Sequence, residues 1–304
     1  MSAPRRAPRR KLDGVFLLDK PLGLSSNQAL QIVRRLFNAE KAGHTGTLDP
    51  LATGLLPVCF GEATKFSGEL LGAEKRYLAT VQLGVITDTL DTEGVVLERR
   101  VVNASLNDVE QVLKGFLGSI EQIPPMFSAL KRDGKPLYEY ARAGIELERD
   151  ARIVHIHQLE LCDWQSDSFT LDVRCSKGTY IRTLAADIGE RLGCGAHISA
   201  LRRTEIGQLS ISKATPLATL DGTAILADRD RFLESPDSLL LALEEVNLDQ
   251  LATTRLLQGQ TIPSLGEVGA RVRVYDHSRR FLGVCTRIED GGLRPQRLVA
   301  THSA

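Results

Sequence analysis

GHTGTLDPLATGLLPV, residues 43–58, places one carboxylate, Asp49, in a loop rich in glycine, threonine and proline. Such residues fix a loop through defined turns, and the apolar residues that follow Asp49 predict a core directly behind it. We therefore expect a rigid loop that presents Asp49 as an enzyme presents a nucleophile. Taken alone, the stretch also permits a phosphate-binding loop, a glycosidase site or a tight turn.

The segments on either side of this loop predict an α+β fold. Apolar residues 15–18 predict a buried strand that ends in a turn at residues 19–23. Residues 77–83, 152–161 and 169–175 alternate polar and apolar side chains and predict half-buried strands, the last two paired antiparallel. Helical spacing predicts helices after Ser25, near residues 107–116 and over residues 181–192. Strands that come in runs favour a mixed or antiparallel sheet.

Composition restricts the class of protein. The chain has 304 residues, enough for one large domain or a domain with a small appendage. No apolar run is long enough to span a bilayer. Five cysteines, an odd number without a C-x-x-C pair, argue against a disulfide framework or a zinc site and favour the cytoplasm.

The charges are segregated along a chain whose net charge is zero, which excludes a uniform polyanion-binding surface. Residues 1–12 predict a disordered basic arm. Two dipeptides, Lys131-Arg132 and Arg202-Arg203, predict local basic patches. Residues 246–304 contain short apolar runs and tight turns, which predict a small β-rich domain.

Arg182 is predicted in the first turn of the helix that follows Gly178, where a cation opposes the helix dipole at a cost of about 0.3–1 kcal/mol. A buried carboxylate would compensate this cost, and Asp49 is the candidate, because an arginine beside it would keep it ionised. The alternative is an ion pair with Asp187 or Glu190 on the same helix. Tyr77, at the start of a strand, is by itself more typical of a core aromatic.

Familiar catalytic loops are absent from the sequence. It has no G-x-x-x-x-G-K-[ST] motif and no G-x-G-x-x-G that leads into a helix, so the phosphate-loop interpretation of residues 43–58 fails. Neither H-E-x-x-H nor G-x-S-x-G occurs. A glycosidase would require a second, paired carboxylate, which no motif supplies.

Four segments together closely resemble the TruB family of bacterial tRNA pseudouridine synthases, which act on uridine 55 in the T loop. They are the opening stretch, KRY at 75–77, CSKGTYIRTLAADIGE at 175–190 and LLDKPLGLSSN at 17–27. The resemblance runs from about Gly14 to the C-terminus, and its motifs are long and ordered. It implies a catalytic domain at 13–245, with an RNA-gripping insertion at about 124–151, and a PUA-like domain at 246–304.

The resemblance also implies roles for single residues. The implied catalytic residues are Asp49, Tyr77 and Arg182. The implied substrate-binding residues are His44, Tyr180, Leu201, Lys20, Lys131, Arg132 and Arg142. Among them, Leu201 would line the pocket, Lys20-Pro21 would support it, and His44 would hold the flipped-out RNA.

The expected substrate is therefore tRNA, bound through its T stem-loop by a monomer. The chemistry requires no metal or cofactor, and we expect no membrane and no obligatory protein partner. A secondary role in tRNA folding is compatible with the resemblance. The rival from another functional class is a non-catalytic RNA-binding module, against which the complete set of three catalytic residues argues.

Overall fold

The computed structural model describes residues 8–300. The α-helices are α1 Ser26–Leu36, α2 Leu106–Lys114, α3 Leu137–Arg142, α4 Ile181–Arg191, α5 Leu217–Gly222, α6 Leu226–Arg229 and α7 Gln250–Leu257. The strands are β1 Gly14–Lys20, β2 Ala42–His44, β3 Ala52–Phe60, β4 Lys75–Leu83, β5 Val85–Thr87, β6 Val96–Arg99, β7 Gly118–Gln122, β8 Lys131–Arg132, β9 Lys135–Pro136, β10 Arg152–Trp164, β11 Ser168–Cys175, β12 Ala196–Ile206, β13 Leu209–Ser210, β14 Thr215–Pro216, β15 Leu233–Glu234, β16 Glu244–Asn247, β17 Ile262–Pro263, β18 Arg271–Tyr275, β19 Phe281–Ile288 and β20 Gly292–Leu298.

One large mixed sheet dominates the described chain. Its strands follow the order β14-β1-β3-β12-β4-β11-β10-β7, and β2, β13 and β15 pair beside this path. The pairs β1–β14 and β3–β12 are parallel, whereas the other neighbours are antiparallel. The predicted α+β fold with a mixed sheet is confirmed.

Local sequence explains most of these elements. Burial alternates at every residue of β11, as its polar–apolar pattern predicts, and β11 pairs antiparallel with β10. Helix α1 begins at a capping box, in which Ser25 and Gln28 satisfy each other's backbone N–H groups. The predicted turn at residues 19–23 begins too early, because β1 continues through Asp19 and Lys20, which pair with β3.

The C-terminal part forms a second sheet, with strand order β16-β18-β19-β20-β17. It has a small core of its own and also packs against the large sheet. The rings of Phe66 and Phe281 meet edge to face at 5.5 Å, and Arg271 forms an ion pair with Glu69 at 2.7 Å. Its first strand begins at Glu244, two residues before the predicted boundary.

Of the predicted basic arm, residues 1–7 lie outside the described residues. Arg10, near the end of that segment, donates a hydrogen bond from Nη1 to Asp230 Oδ1 at 3.1 Å. Among residues 8–300, no helix combines the length and the apolar character that a membrane crossing requires.

Candidate active site

The loop that carries Asp49 is fixed at both ends. Before Asp49, the Leu48 N–H donates to the Ser26 hydroxyl, which in turn donates to the Leu48 carbonyl, at 2.7 and 3.0 Å. After Asp49, its own carbonyl accepts from the Ala52 N–H at 3.0 Å, which closes a turn. Gly46 adopts a φ of 76°, a conformation that favours glycine. The sequence therefore builds a rigid presentation of Asp49, with the buried start of α1 as its support.

Arg182 lies beside Asp49, as the sequence predicts. Its Nη2 is 3.1 Å from Asp49 Oδ2, and its side chain is only 6% exposed. The alternative partners on its own helix are wrong: Glu190 pairs with Arg100, and no ion pair of the described chain joins Arg182 to Asp187. Arg182 on α4 thus forms its ion pair with a carboxylate of the opposite loop and not with one of its own helix.

A second carboxylate, Asp91, shares the same guanidinium and was missed in the sequence. Its Oδ2 lies 3.3 Å from Arg182 Nη1, and its Oδ1 accepts from the Thr89 hydroxyl at 2.6 Å and from the Glu93 N–H at 3.0 Å. Arg182 also donates to the carbonyls of Thr89 and Phe127 at 2.8 and 2.7 Å. The run 88–94 is typical of a surface turn, so nothing local signals this role.

Arg182 favours the ionised form of Asp49, as expected, but burial has the larger effect on the pKa of Asp49. Burial raises the pKa of Asp49 above its ordinary value, while Arg182 and Lys20 lower it and Asp91 raises it further. The arginine does not bring the pKa below the usual range, because it only partly offsets the loss of hydration. Asp49 is a carboxylate of increased basicity, which suits a nucleophile or a proton acceptor.

Asp49 borders a small inner cavity of about 260 Å³. Tyr77, Tyr180 and Leu201 line it together with Asp49 and Arg182. The cavity falls just below the range of about 300–1,000 Å³ typical of small-molecule sites, so it suits one flat ring rather than a large ligand. Burial raises the pKa of both tyrosines, so their hydroxyls remain protonated at neutral pH.

A wider outer cavity of about 640 Å³ adjoins the inner one at Asp49 and Arg182. His44 and Arg142 line it, and the Arg142 guanidinium lies 5.4 Å from the centroid of the Tyr138 ring. Burial and the charge of Arg203 lower the pKa of His44, so its imidazole is neutral at physiological pH. The wall of the outer cavity therefore presents a guanidinium, an aromatic ring and an imidazole next to the Asp49 carboxylate.

The structure changes two predictions about basic residues. Lys20 is fully buried and donates to the carbonyls of Pro21 and Leu24 at 2.9 and 2.6 Å, which favours a supporting role over direct contact with a substrate. Arg203 is buried too, and Arg202 forms an ion pair with Asp19. The dipeptide is not a free basic patch, because consecutive residues of a strand point to opposite faces.

Lys131 and Arg132 form β8 of the small β8–β9 hairpin, and both are exposed. Neither lines the inner or the outer cavity. They stand on the same insertion as Arg142, which does reach the outer cavity. The insertion therefore places Arg142 at the outer cavity and two further exposed cations on β8.

The arrangement favours nucleophilic or proton-transfer chemistry on one flat ring. Although no motif of the sequence supplies a second carboxylate, tertiary structure places Asp91 next to the site. Asp91 is however buried, and its oxygens accept from Thr89, Glu93 and Arg182, so it is not free to act as the acid of a glycosidase pair.

Comparison with known proteins gives matches along almost the whole chain. Residues 34–181 match the model of the TruB family pseudouridylate synthase N-terminal domain. Residues 182–247 match a tRNA pseudouridylate synthase B C-terminal domain, and residues 245–299 match the C-terminal domain of pseudouridine synthase II TruB.

Curated relatives agree with these models. The chain is 53% identical over 299 residues to tRNA pseudouridine synthase B of Azoarcus sp. strain BH72, covering 98% of this chain and 99% of that protein. It is 55% identical to tRNA pseudouridine synthase B of Burkholderia mallei strain ATCC 23344, covering 98% of each. In fold, it is similar to a chain in the crystal structure of a Cbf5-Nop10-Gar1 complex, with a TM-score of 0.72, 25% identity, and coverage of 94% of this chain and 84% of that chain.

Proposed function

The chain belongs to the TruB family of pseudouridylate synthases and is a tRNA pseudouridine synthase, and we propose that its target is uridine 55 in the T loop. Its fold is a mixed-sheet catalytic domain with a PUA-like β-rich domain at the C-terminus. The observation that carries the proposal is the Asp49–Arg182 pair at the junction of the two cavities.

The reaction breaks the N1–C1′ bond of uridine, turns the uracil and joins it to C1′ through C5. The base must leave the RNA stack to reach the carboxylate at the border of the inner cavity. The inner cavity supplies the place, with Tyr77 as the aromatic surface for the ring and Leu201 as an apolar wall that excludes water. Stacking of a base on an aromatic side chain contributes about 1–3 kcal/mol.

Asp49 is the group that acts on the flipped nucleotide. It attacks C1′ or the pyrimidine ring, or it assists proton removal in a glycal route. Each route needs the ionised carboxylate, which Arg182 orients through one nitrogen while its other nitrogen is held by Asp91 and the Thr89 carbonyl. The Tyr77 hydroxyl is available for proton transfer to or from the ring.

The outer cavity and the insertion would hold the RNA around the flipped base. His44 and Arg142 face this cavity, and Lys131 and Arg132 add two exposed cations on β8. Recognition of a loop with splayed bases by shape suits such a surface. We assign the insertion at about 124–151 to gripping the T stem-loop, and the domains at 13–245 and 246–304 to catalysis and RNA binding.

Tritium release tests the function. A tRNA transcript with tritium at C5 of its uridines is incubated with the protein, and we expect release equivalent to one uridine per tRNA, without added metal. Asp49→Asn keeps the size of the side chain but removes the nucleophile, so it should bind tRNA and release nothing. Asp163→Asn, the same change at an exposed carboxylate that lines neither cavity, is the matched control and should retain turnover.

The outcomes separate the candidates. Turnover by Asp49→Asn contradicts the role of Asp49. Tight tRNA binding without release by the unaltered protein favours the RNA-folding module. A transcript in which position 55 is cytidine should release nothing, and release from it contradicts the target. The monomeric state and cytoplasmic location, which belong to the same proposal, are checked by light scattering and by cell fractionation.

A further inference from the structure

Arg203 is a buried arginine with an uncompensated charge. Its side chain is the largest of the fully buried ones, at 1% exposure, and no carboxylate of residues 8–300 lies within ion-pair distance of its guanidinium. Buried charges in proteins are normally paired with an opposite charge, because desolvation otherwise makes them unfavourable. The family resemblance assigned no role to this residue, and the sequence predicted a surface patch.

The guanidinium holds the base of the catalytic loop. It donates to the carbonyl of Gly46 at 3.1 Å and lies 3.5 Å from that of Thr47, the residues that precede Leu48 and Asp49. Its Nε donates to the carbonyl of Leu55 on β3 at 2.9 Å. The guanidinium thus connects the catalytic loop to β3, the strand that follows the loop. Three backbone carbonyl dipoles stabilise its positive charge.

Arg203 is also the cross-strand neighbour of Tyr77. Arg203 on β12 and Tyr77 on β4 are directly opposed in the antiparallel register, and both line the inner cavity. The charge of Arg203 lowers the pKa of Tyr77, while the hydrogen bonds of its guanidinium within residues 8–300 go to backbone carbonyls. Because a guanidinium has donors only, the Tyr77 oxygen would be the acceptor in any contact between the two side chains, which leaves the hydroxyl proton free to point towards a ring in the cavity.

We propose that Arg203 is a positioning residue for the isomerisation, which fixes the Asp49 loop and the Tyr77 hydroxyl relative to each other and places a fixed positive charge beneath the base. This inference rests on the proposed function. In each open route, negative charge develops on the pyrimidine: the N1–C1′ electron pair leaves with the uracil, or addition of the carboxylate to the ring makes it anionic. A preorganised cation stabilises that charge most when water is excluded.

Substitution at Arg203 in the 304-residue chain tests the proposal, with tritiated tRNA as the substrate. Loss of one preorganised electrostatic contact lowers kcat by about 100-fold or more, which we expect for Arg203→Met, with KM for tRNA within about threefold of wild type. Arg203→Lys keeps the charge but reaches fewer acceptors, and we expect kcat between those of wild type and Arg203→Met. Arg202→Met is the matched control, since this neighbouring arginine is partly exposed and has Asp19 as its partner.

A purely structural role would not show coupling to the tyrosine hydroxyl. We therefore expect Arg203→Lys to lower kcat less in a Tyr77→Phe background than in the wild type, because the hydroxyl it orients is already absent. The pH profile gives a second readout. Arg203 lowers the pKa of Tyr77, so an alkaline limb caused by this tyrosine should move to higher pH in Arg203→Met.

A folded Arg203→Met variant with kcat close to wild type overturns the inference, as does a raised KM with kcat unchanged, or an equal effect in the Tyr77→Phe background. Should Arg203→Met fail to fold, Arg203→Lys decides: a normal melting temperature with reduced kcat supports the inference, and unchanged kcat overturns it. Failure of the unaltered protein to release tritium counts against the proposed function instead, which keeps the two failures distinct.

Discussion

The pKa of Asp49 results from opposing influences that the sequence shows only in part. Burial raises it, whereas the charges of Arg182 and Lys20 lower it. The turnover rate should therefore decline on acidification at a pH above that of an ordinary aspartate, because the reaction needs the ionised form. Lys20, although fully buried, contributes to this balance through its charge.

Lys20→Met should move the acid limb of the rate to higher pH. Burial lowers the pKa of Lys20 to about 8, so the amine is protonated throughout the acid limb, and its charge lowers the pKa of Asp49. Removal of the charge raises the pKa of Asp49. Asp49 therefore becomes protonated at a higher pH when the solution is acidified. Single-turnover rates between about pH 4 and 8 give the position of the limb independently of its amplitude.

Lys75→Met is the matched control for this shift. Lys75 is a second amine whose pKa burial lowers to about 8, and it lines the inner cavity, but it is not among the charges that move the pKa of Asp49. Its removal should leave the position of the acid limb unchanged. An equal shift in both variants, or none in Lys20→Met, would contradict the assigned coupling.

The sequence predicts the role of a single residue where that residue breaks a local rule or belongs to a long family motif. The pairing of Arg182 with Asp49 follows from a cation at a helix start together with the motif around it. The partners of Arg203 lie in loops and strands near positions 46, 55 and 77, which only the strand register brings together. Asp91 likewise reaches Arg182 through tertiary structure alone. Such contacts have no local signature and could not be predicted.

At the scale of elements, the half-buried strands β10 and β11 were predicted from alternation, whereas β12 was not. Its central residues include Arg202 and Arg203, which in sequence are typical of a charged surface. In the structure β12 lies between β3 and β4, in the middle of the sheet. Of the two arginines that obscured this strand, Arg203 lines the inner cavity and Arg202 pairs with Asp19.

The approach of β3 to β12 depends on Gly54. This residue has a φ of 101°, and a Cβ added there would lie 2.3 Å from the Arg203 carbonyl oxygen, which is backbone and cannot move aside. Gly54→Ala should cost about 1–3 kcal/mol of unfolding free energy. It should also reduce turnover, because separation of the strands displaces Arg203 from the catalytic loop.

Gly68→Ala supplies the comparison for Gly54→Ala. Gly68 has a φ of −64° and no atom within 4 Å of an added Cβ, so its substitution should change the unfolding free energy by no more than about 0.5 kcal/mol. Urea unfolding of both variants measures the difference. Equal stability of the two would show that the close approach of β3 to β12 is not required.

At the scale of the whole molecule, the C-terminal sheet and the large sheet share an apolar cluster. Phe281 and Val284 of β19 pack with Phe66, Leu239 and Leu240. A domain of the predicted 246–304 size is near the lower limit for an independent core, and its own buried cluster is small. The two parts are therefore expected to stabilise each other and to unfold in one transition.

Phe281→Ala tests this coupling through a reporter in the other part of the molecule. Trp164, the single tryptophan, ends β10 in the large sheet and stacks near Phe169. A buried Phe→Ala change costs about 3–5 kcal/mol, and in a shared core that loss should lower the urea midpoint of Trp164 fluorescence. Leu265→Ala, at a side chain that is 92% exposed, should leave the midpoint unchanged. An unaltered Trp164 midpoint in Phe281→Ala, with an earlier loss of β-sheet circular dichroism, would show instead that the C-terminal sheet unfolds independently.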